Sequence, residues 1–178
     1  DPTKMVRGVC PAGHKAMYNT QWGGLPDKEF LAELDPALAD LRDRLYDKTI
    51  TADQSAGPLT GKIAAKVGLR PGIPVAAGTF DAHAGGVGAG IQPGILVKII
   101  GTSTCDMMVA PMDENLPDVP GLCGIVPGSI LPSYLGLEAG QSAVGDIFNW
   151  FVKQLFAGRY TNEAEAHAAL SAQAAKLR

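Results

Sequence analysis

Three stretches of this chain combine residue types that chemistry uses. The first is Gly78-Thr79-Phe80-Asp81-Ala82-His83. Asp81 stands where a helix of small residues should begin, facing backbone N–H groups and the positive end of the helix dipole. That setting favours the ionised carboxylate, the form a general base needs to accept a hydroxyl proton. The same position also suits a plain N-cap aspartate. The second stretch is Gly101-Thr102-Ser103-Thr104, a turn whose N–H and O–H donors can meet phosphate oxygens. It has no Lys after a second Gly, so it is not a Walker A loop, and it reads equally as a polar hairpin turn. The third is Gly140-Gln141-Ser142, which we expect to open a helix; a Gly-led helix start can hold an anion, though most hold none. Lys15 and Glu138 are lone charges in Gly-flanked surroundings, suited to a polar ligand or to solvent. His83 reads as a packed or hydrogen-bonded histidine, and one of Met107 and Met108 should face inward.

The order of these features says more than any one of them. A carboxylate at a helix start is followed by a break at Gln92-Pro93-Gly94, a hairpin with a Gly-Thr turn, a strand and a Gly-led helix. A proton acceptor at the edge of one lobe and phosphate donors at the start of the next would serve phosphoryl transfer, which depends on positioning.

The elements that must position these groups follow from local pattern. Residues 1–24 read as irregular. Helices are expected over 27–34, over 36–46 with Asp35 as N-cap and Pro36 in the first turn, and near 60–67 with Gly68 as the stop. Ile73 to Ala77 is a short apolar strand, and the helix after it starts at Asp81. Its small residues allow close packing. Ile95–Ile100 and Cys105–Ala110 form the hairpin. Residues 111–129, with Pro111, Pro117, Pro120 and Pro127, read as loop. Leu131–Leu137 reads as a strand. Helix 142–156, with Ser142 as cap, carries Val144, Ile147, Phe148, Phe151, Val152 and Leu155 on one face. A final helix starts near Asn162, with Glu165 three residues on, and runs to the end.

The chain has 178 residues, 46% of them hydrophobic and 19% charged, with a formal charge of −3, so it can bury a core. No Lys/Arg-rich stretch stands out, which argues against nucleic acid or an anionic membrane as partner. No apolar run reaches membrane-spanning length, and Asp1-Pro2-Thr3-Lys4 has no signal-peptide form. Cys10, Cys105 and Cys123 are widely spaced, show no zinc pattern, and suit reduced thiols in a cytoplasmic protein. No metal ligands are expected.

At these motifs the chain resembles the FGGY carbohydrate kinases. Gly78 to His83 is similar to their segment with the catalytic aspartate, Gly101 to Thr104 to their phosphate-binding turn, and Glu138 to Ser142 to a later nucleotide contact. Cys10-Pro11-Ala12-Gly13-His14-Lys15-Ala16 and Gly136 to Ser142 resemble, in particular, the members that phosphorylate ribulose. The resemblance implies an α/β fold, part of two actin-like, RNase H-like lobes. Residues 1–91 would end the N-terminal sugar-binding lobe, and 92–178 would begin the C-terminal nucleotide-binding lobe. It implies transfer of the γ-phosphate of ATP, with Mg²⁺, to the 5-hydroxyl of ribulose in the cytoplasm, a step of L-arabinose catabolism. Asp81 would be the general base and touch the sugar, with Lys15 and Glu138 beside it. Gly101, Thr102 and Gly140 would face the nucleotide.

The family's N-terminal Asp-x-Gly-Thr motif and later Gly-rich adenosine site are absent, so the resemblance is to the middle of such an enzyme. This segment alone is expected to be inactive and, with strand edges unpaired, to self-associate as a homo-oligomer. Two other readings are a family member acting on xylulose, glycerol or a related polyol, and a non-catalytic module of this fold.

Overall fold

The computed structural model describes residues 6–156 and 158–177. Residues 1–5 and 178, which fall within the expected irregular start and the final helix, lie outside the described residues. The contacts fall into two compact units. One runs through Val97 and takes in Asp106–Ala139; the other joins Lys98–Cys105 to the chain from Gly140 onward.

The first unit opens with β1 (Arg7–Gly8) and helix α1 (Val9–Lys15). This corrects the expectation of an irregular segment over 1–24. Pro11 lies in the first helical turn, where no intrahelical partner is lost. Gly13 is required: a Cβ there would overlap the side chain of Val126. Helix α2 (Lys28–Leu34) starts where Asp27 accepts a bond from the Phe30 N–H at 2.8 Å. Pro36–Arg44 is a 3₁₀ segment rather than the expected α-helix, and none of its residues is fully buried.

β2 (Thr49–Ile50) pairs in parallel with β1. β3 (Ser55–Pro58) pairs antiparallel with β4 (Pro74–Ala76), and helix α3 (Gly61–Val67) lies between them in sequence. Gly68 ends α3 at φ +69°, a left-handed conformation that favours glycine. Helix α4 (Asp81–Gly88) begins at Asp81 as expected, with Phe80 as its N-cap.

β5 (Val97–Ile100) is followed by β6 (Thr104–Pro111), β7 (Leu122–Pro127) and β8 (Tyr134–Gln141). Within the first unit the neighbours run β6, β8, β7, with β7 antiparallel to β8. β7 occupies what reads as loop in the sequence. Its prolines are harmless because Pro120 precedes the strand, Pro127 ends it, and β7 is at the edge. Val126 pairs with Gly136 and Ile125 with Leu137. The core gathers Cys10, Ala12, Ile91, Met107, Val109, Val126 and Ile130. Met107 is the buried member of the Met pair, and a Cβ on Gly86 of α4 would come 3.0 Å from its Cε. The small residues of α4 therefore do bring it close to its neighbour.

In the second unit β5 adjoins the start of β6. The three-residue link, Gly101–Ser103, is too short for a parallel crossover, so the pair is a hairpin. Helix α5 (Gly145–Leu155) begins at Gly145, three residues later than expected, and Ser142 is not its cap. The reason is that β8 continues to Gln141 instead of ending at Leu137. Helix α6 (Glu163–Ala174) is capped by Asn162, which accepts from the Glu165 N–H at 2.9 Å, while Glu165 Oε2 accepts from the Thr161 N–H at 3.0 Å. Lys153 of α5 pairs with Glu163 of α6 at 3.2 Å. Among the described residues no helix is long and apolar enough to cross a membrane.

Candidate functional site

Strand periodicity sets the central residue. On β8, Gly136 and Glu138 are both buried, two residues apart and so on one face. Glu138 is therefore not a solvated surface charge: it is 6% exposed. Its carboxylate meets three groups. Oε2 accepts from His83 Nε2 at 2.8 Å, and Oε1 accepts from Lys15 Nζ at 3.2 Å. His14 Nδ1 lies 3.6 Å from Oε2.

The two histidines differ in charge for identifiable reasons. Ser129 Oγ donates to the Val126 carbonyl at 3.0 Å, so it accepts from His14 Nε2, also at 3.0 Å. His14 thus carries its proton on Nε2, and Nδ1 has no hydrogen-bond partner. Burial, with neighbouring His83 and Lys15, outweighs the attraction of Glu138 and lowers His14 to about 4, so it is neutral. For His83 the order is reversed. Burial opposes its charge, but hydrogen bonds with Cys10 and Glu138 win and raise it to about 9. The bond from His83 lowers Glu138 to about 2 against the effect of burial. The result is a buried imidazolium–carboxylate pair. Cys10 Sγ completes it, 3.1 Å from His83 Nδ1, which also lies 3.3 Å from the Ser129 carbonyl oxygen. Burial would raise the Cys10 thiol, but its bonds with His83 and Thr79 lower it.

His14, His83 and Glu138 could in principle share a metal ion, since their ligand atoms lie within 4.8 Å of one another. The 2.8 Å contact between His83 and Glu138 carries a proton, so the set reads as an ion pair. It does not fit Mg²⁺, which takes oxygen ligands in octahedral array.

Lys15, the last residue of α1, is 57% exposed along its side chain, and its Nζ sits 5.6 Å from the centroid of the Phe80 ring. Asp81 follows Phe80 at the first position of α4. It is exposed, and its Oδ1 accepts from the Ala82 N–H at 2.8 Å. The first unit thus brings Lys15 and Glu138 together and sets Asp81 two residues before the histidine that holds Glu138. Reading the sequence missed Cys10, His14 and Ser129, and the link from His83 to Glu138. These partners are 46 to 115 residues apart, and no local spacing signals them.

The second unit holds Gly101, Thr102 and Gly140. Gly101 and Thr102 are exposed, and the Gly101 N–H donates to the Ser103 carbonyl at 2.8 Å. The start of α5 is tied to this turn: Val144 N–H donates to Thr102 O at 2.8 Å and Gly145 N–H to Gly101 O at 3.1 Å. A Cβ on Gly145 would lie 2.8 Å from Gly101 O. Gly145 is thus a residue of this region that the sequence did not single out. Gly140 does not lead a helix; it lies on β8, where a Cβ would come 3.0 Å from the Thr104 carbonyl oxygen. The expectation of a Gly-led helix start at 140–142 is corrected accordingly.

The C-terminal domain of the FGGY family of carbohydrate kinases matches residues 96–178. A ribulokinase from Vibrio parahaemolyticus is 50% identical over 152 residues, covering 84% of this chain and 27% of the relative. A ribulokinase from Halalkalibacterium halodurans is 42% identical over 182 residues, covering 98% of this chain and 32% of the relative. Among solved structures, a xylulose kinase from Rhodospirillum rubrum superposes with a TM-score of 0.63 at 27% identity, over 79% of this chain and 28% of that one. The chain therefore spans between a quarter and a third of the length of these proteins. Its α/β fold is part of their actin-like, RNase H-like lobes, and the chain belongs to the FGGY family of carbohydrate kinases.

Proposed function

We propose that this chain is the part of an ATP-dependent ribulose kinase that holds the sugar and part of the nucleotide. The observation that carries the reading is the Lys15–Glu138 pair, joined at 3.2 Å beside the start of α4, where Asp81 lies. An ammonium and a carboxylate side by side offer donors and an acceptor to adjacent sugar hydroxyls. Asp81, exposed and at a helix start, is the general base. It takes the proton of the 5-hydroxyl as that oxygen bonds to the γ-phosphorus and the bond to the ADP oxygen breaks.

In the second unit, Gly101, Thr102 and Gly140 are the nucleotide contacts. Thr102 supplies a hydroxyl, and the turn is braced on α5 through Val144 and Gly145. Mg²⁺ arrives with ATP as part of the substrate. Residues 1–91 and 92–178 correspond on this reading to the end of the sugar lobe and the beginning of the nucleotide lobe, a division supported by the family match from residue 96. A cytoplasmic step in L-arabinose breakdown is the setting implied. ADP release by the full-length protein with ribulose, xylulose and glycerol tests this. A clear preference for ribulose supports the reading, and preference for another polyol or no turnover rejects it.

A further inference from the structure

We propose that His83 is a positioning residue for sugar binding: it holds the Glu138 carboxylate so that Oε1, beside Lys15, is the oxygen offered to the ligand. This rests on the assignment of Lys15 and Glu138 to the sugar. His83 is 0% exposed and so cannot touch the sugar itself. It acts through Glu138, whose Oε2 it occupies at 2.8 Å.

The histidine is in turn fixed from every side. Its Nδ1 faces Cys10 Sγ at 3.1 Å and the Ser129 carbonyl at 3.3 Å. Its ring meets those of His14 and Phe80 edge-on, with centroids 5.1 and 5.5 Å away. The result is a line of contacts from the buried Cys10 through His83 and Glu138 to the half-exposed Lys15. A carboxylate on a flexible stem would otherwise sample rotamers that turn either oxygen toward Lys15. Holding one oxygen from behind leaves a single orientation for the other, which is the preorganisation a hydroxyl ligand needs.

The charge on His83 matters as well. The titratable or charged groups facing it are Cys10 and His14 from α1 and Glu138 from β8, with Lys15 of α1 on the far oxygen. His14 is neutral, so His83 is the buried cation that balances Glu138. When His83 loses its proton, near pH 9, the neutral ring still donates from Nε2, but the carboxylate is held less firmly.

The experiment measures ribulose and ATP steady-state constants for the full-length protein and its His83→Gln variant from pH 6.5 to 9.5. Gln keeps an amide donor but cannot carry the charge. We expect the KM for ribulose to rise about tenfold in the variant, as for loss of a charge-assisted hydrogen bond, with the KM for ATP within about twofold. In the unsubstituted protein the KM for ribulose should climb toward pH 9, and in the variant that climb should be absent. An unchanged KM for ribulose in the variant overturns the proposal. So does an equal rise for both substrates, which marks a merely structural role. If the variant does not fold, the pH profile of the unsubstituted protein decides, and a flat KM for ribulose up to pH 9.5 overturns the proposal. Lack of ribulose turnover by the unsubstituted protein instead rejects the functional reading on which this rests.

Discussion

Lys15 Nζ donates to Glu138 Oε1 at 3.2 Å, across 123 residues of sequence, and the two partners are in very different surroundings. The lysine side chain is 57% exposed and that of the glutamate 8%. An exposed ammonium contributes little to stability, typically under about 1 kcal/mol. A buried carboxylate removed from its imidazolium leaves a charge uncompensated, at a cost of about 3–5 kcal/mol. Lys15→Ala should therefore melt within about 2 °C of the parent yet lower kcat/KM for ribulose about tenfold or more. Glu138→Ala should lose both activity and stability. Calorimetry alongside kinetics separates the two, and a Lys15→Ala protein with full ribulose activity would remove that residue from the sugar site.

Asp81→Asn keeps the shape of the side chain and an acceptor for the Ala82 N–H, but removes the proton acceptor. Turnover should fall by ~10²–10⁴ with little change in melting temperature. Near-normal turnover would reject Asp81 as the base.

The turn at Gly101–Thr102 and the start of α5 should act as one unit in nucleotide binding. Thr102→Val removes a hydroxyl without changing size, and should raise the KM for ATP more than that for ribulose. Gly145→Ala sets a methyl 2.8 Å from Gly101 O, a backbone atom, so the turn or the helix must shift. We expect the same selective loss in ATP use from Gly145→Ala, although it removes no contact group. A change confined to the KM for ribulose in either variant would contradict the assignment.

What could be read from the sequence follows the range of the interactions. The helix start at Asp81, the stop at Gly68 and the Asn162 cap depend on residues within four positions, and all three are present. Helix α1 was hidden because Pro11 and Gly13 resemble breakers. Pro11 is tolerated by its place in the first turn, and Gly13 is needed by Val126, more than a hundred residues away. β7 was hidden by prolines that only an edge strand tolerates, and edge position is a property of the whole sheet. The family motifs pointed to Asp81, Lys15 and Glu138. The network behind Glu138 was not legible, since Cys10, His14, His83 and Ser129 meet only after folding.

Stability should depend on pH with a maximum near 6.5, and the signs can be worked out group by group. Glu138 is lowered from 4.5 to about 2, so its contribution is complete above 4.5 and is lost as pH falls toward 2. His14 is lowered from 6.5 to about 4: below 6.5 the unfolded chain binds a proton that the folded one refuses, and stability falls toward pH 4. His83 is raised from 6.5 to about 9, so its contribution is complete below 6.5 and is lost as pH rises to 9. Cys10, lowered from 9.0, has the opposite sign: it gains stability as pH rises toward 9 and offsets part of that loss. Thermal melts from pH 4 to 9.5 should show both arms. His83→Gln should flatten the alkaline arm. It should also shrink the Glu138 part of the acid arm below 4.5, because the bond from His83 is what lowers that carboxylate, while the His14 part, driven mainly by burial, stays. An alkaline arm unchanged in that variant would place its origin elsewhere.

Helix α5 gives a last prediction, about association. Its 3.6-residue repeat aligns Ile147, Phe148, Phe151 and Leu155, and these are 46, 62, 42 and 56% exposed, with Trp150 at 58%. Only Val152 of this helix is buried. Removing several large apolar side chains on one face from water favours pairing, at about 25 cal/mol per Å² before the cost of association is subtracted. A chain of these 178 residues, expressed alone, should therefore associate with a second copy of itself through α5. Sedimentation should show a species heavier than the monomer. Phe148→Glu with Leu155→Lys, both on the exposed face, should shift it to monomer without loss of helical signal. A parent that sediments as a monomer at high concentration would show that this face has no affinity for itself. A double variant that stays associated would assign the contact to another surface, with the unpaired edge of β7 next to be tested, by a lysine substitution at Cys123, an exposed residue of that strand.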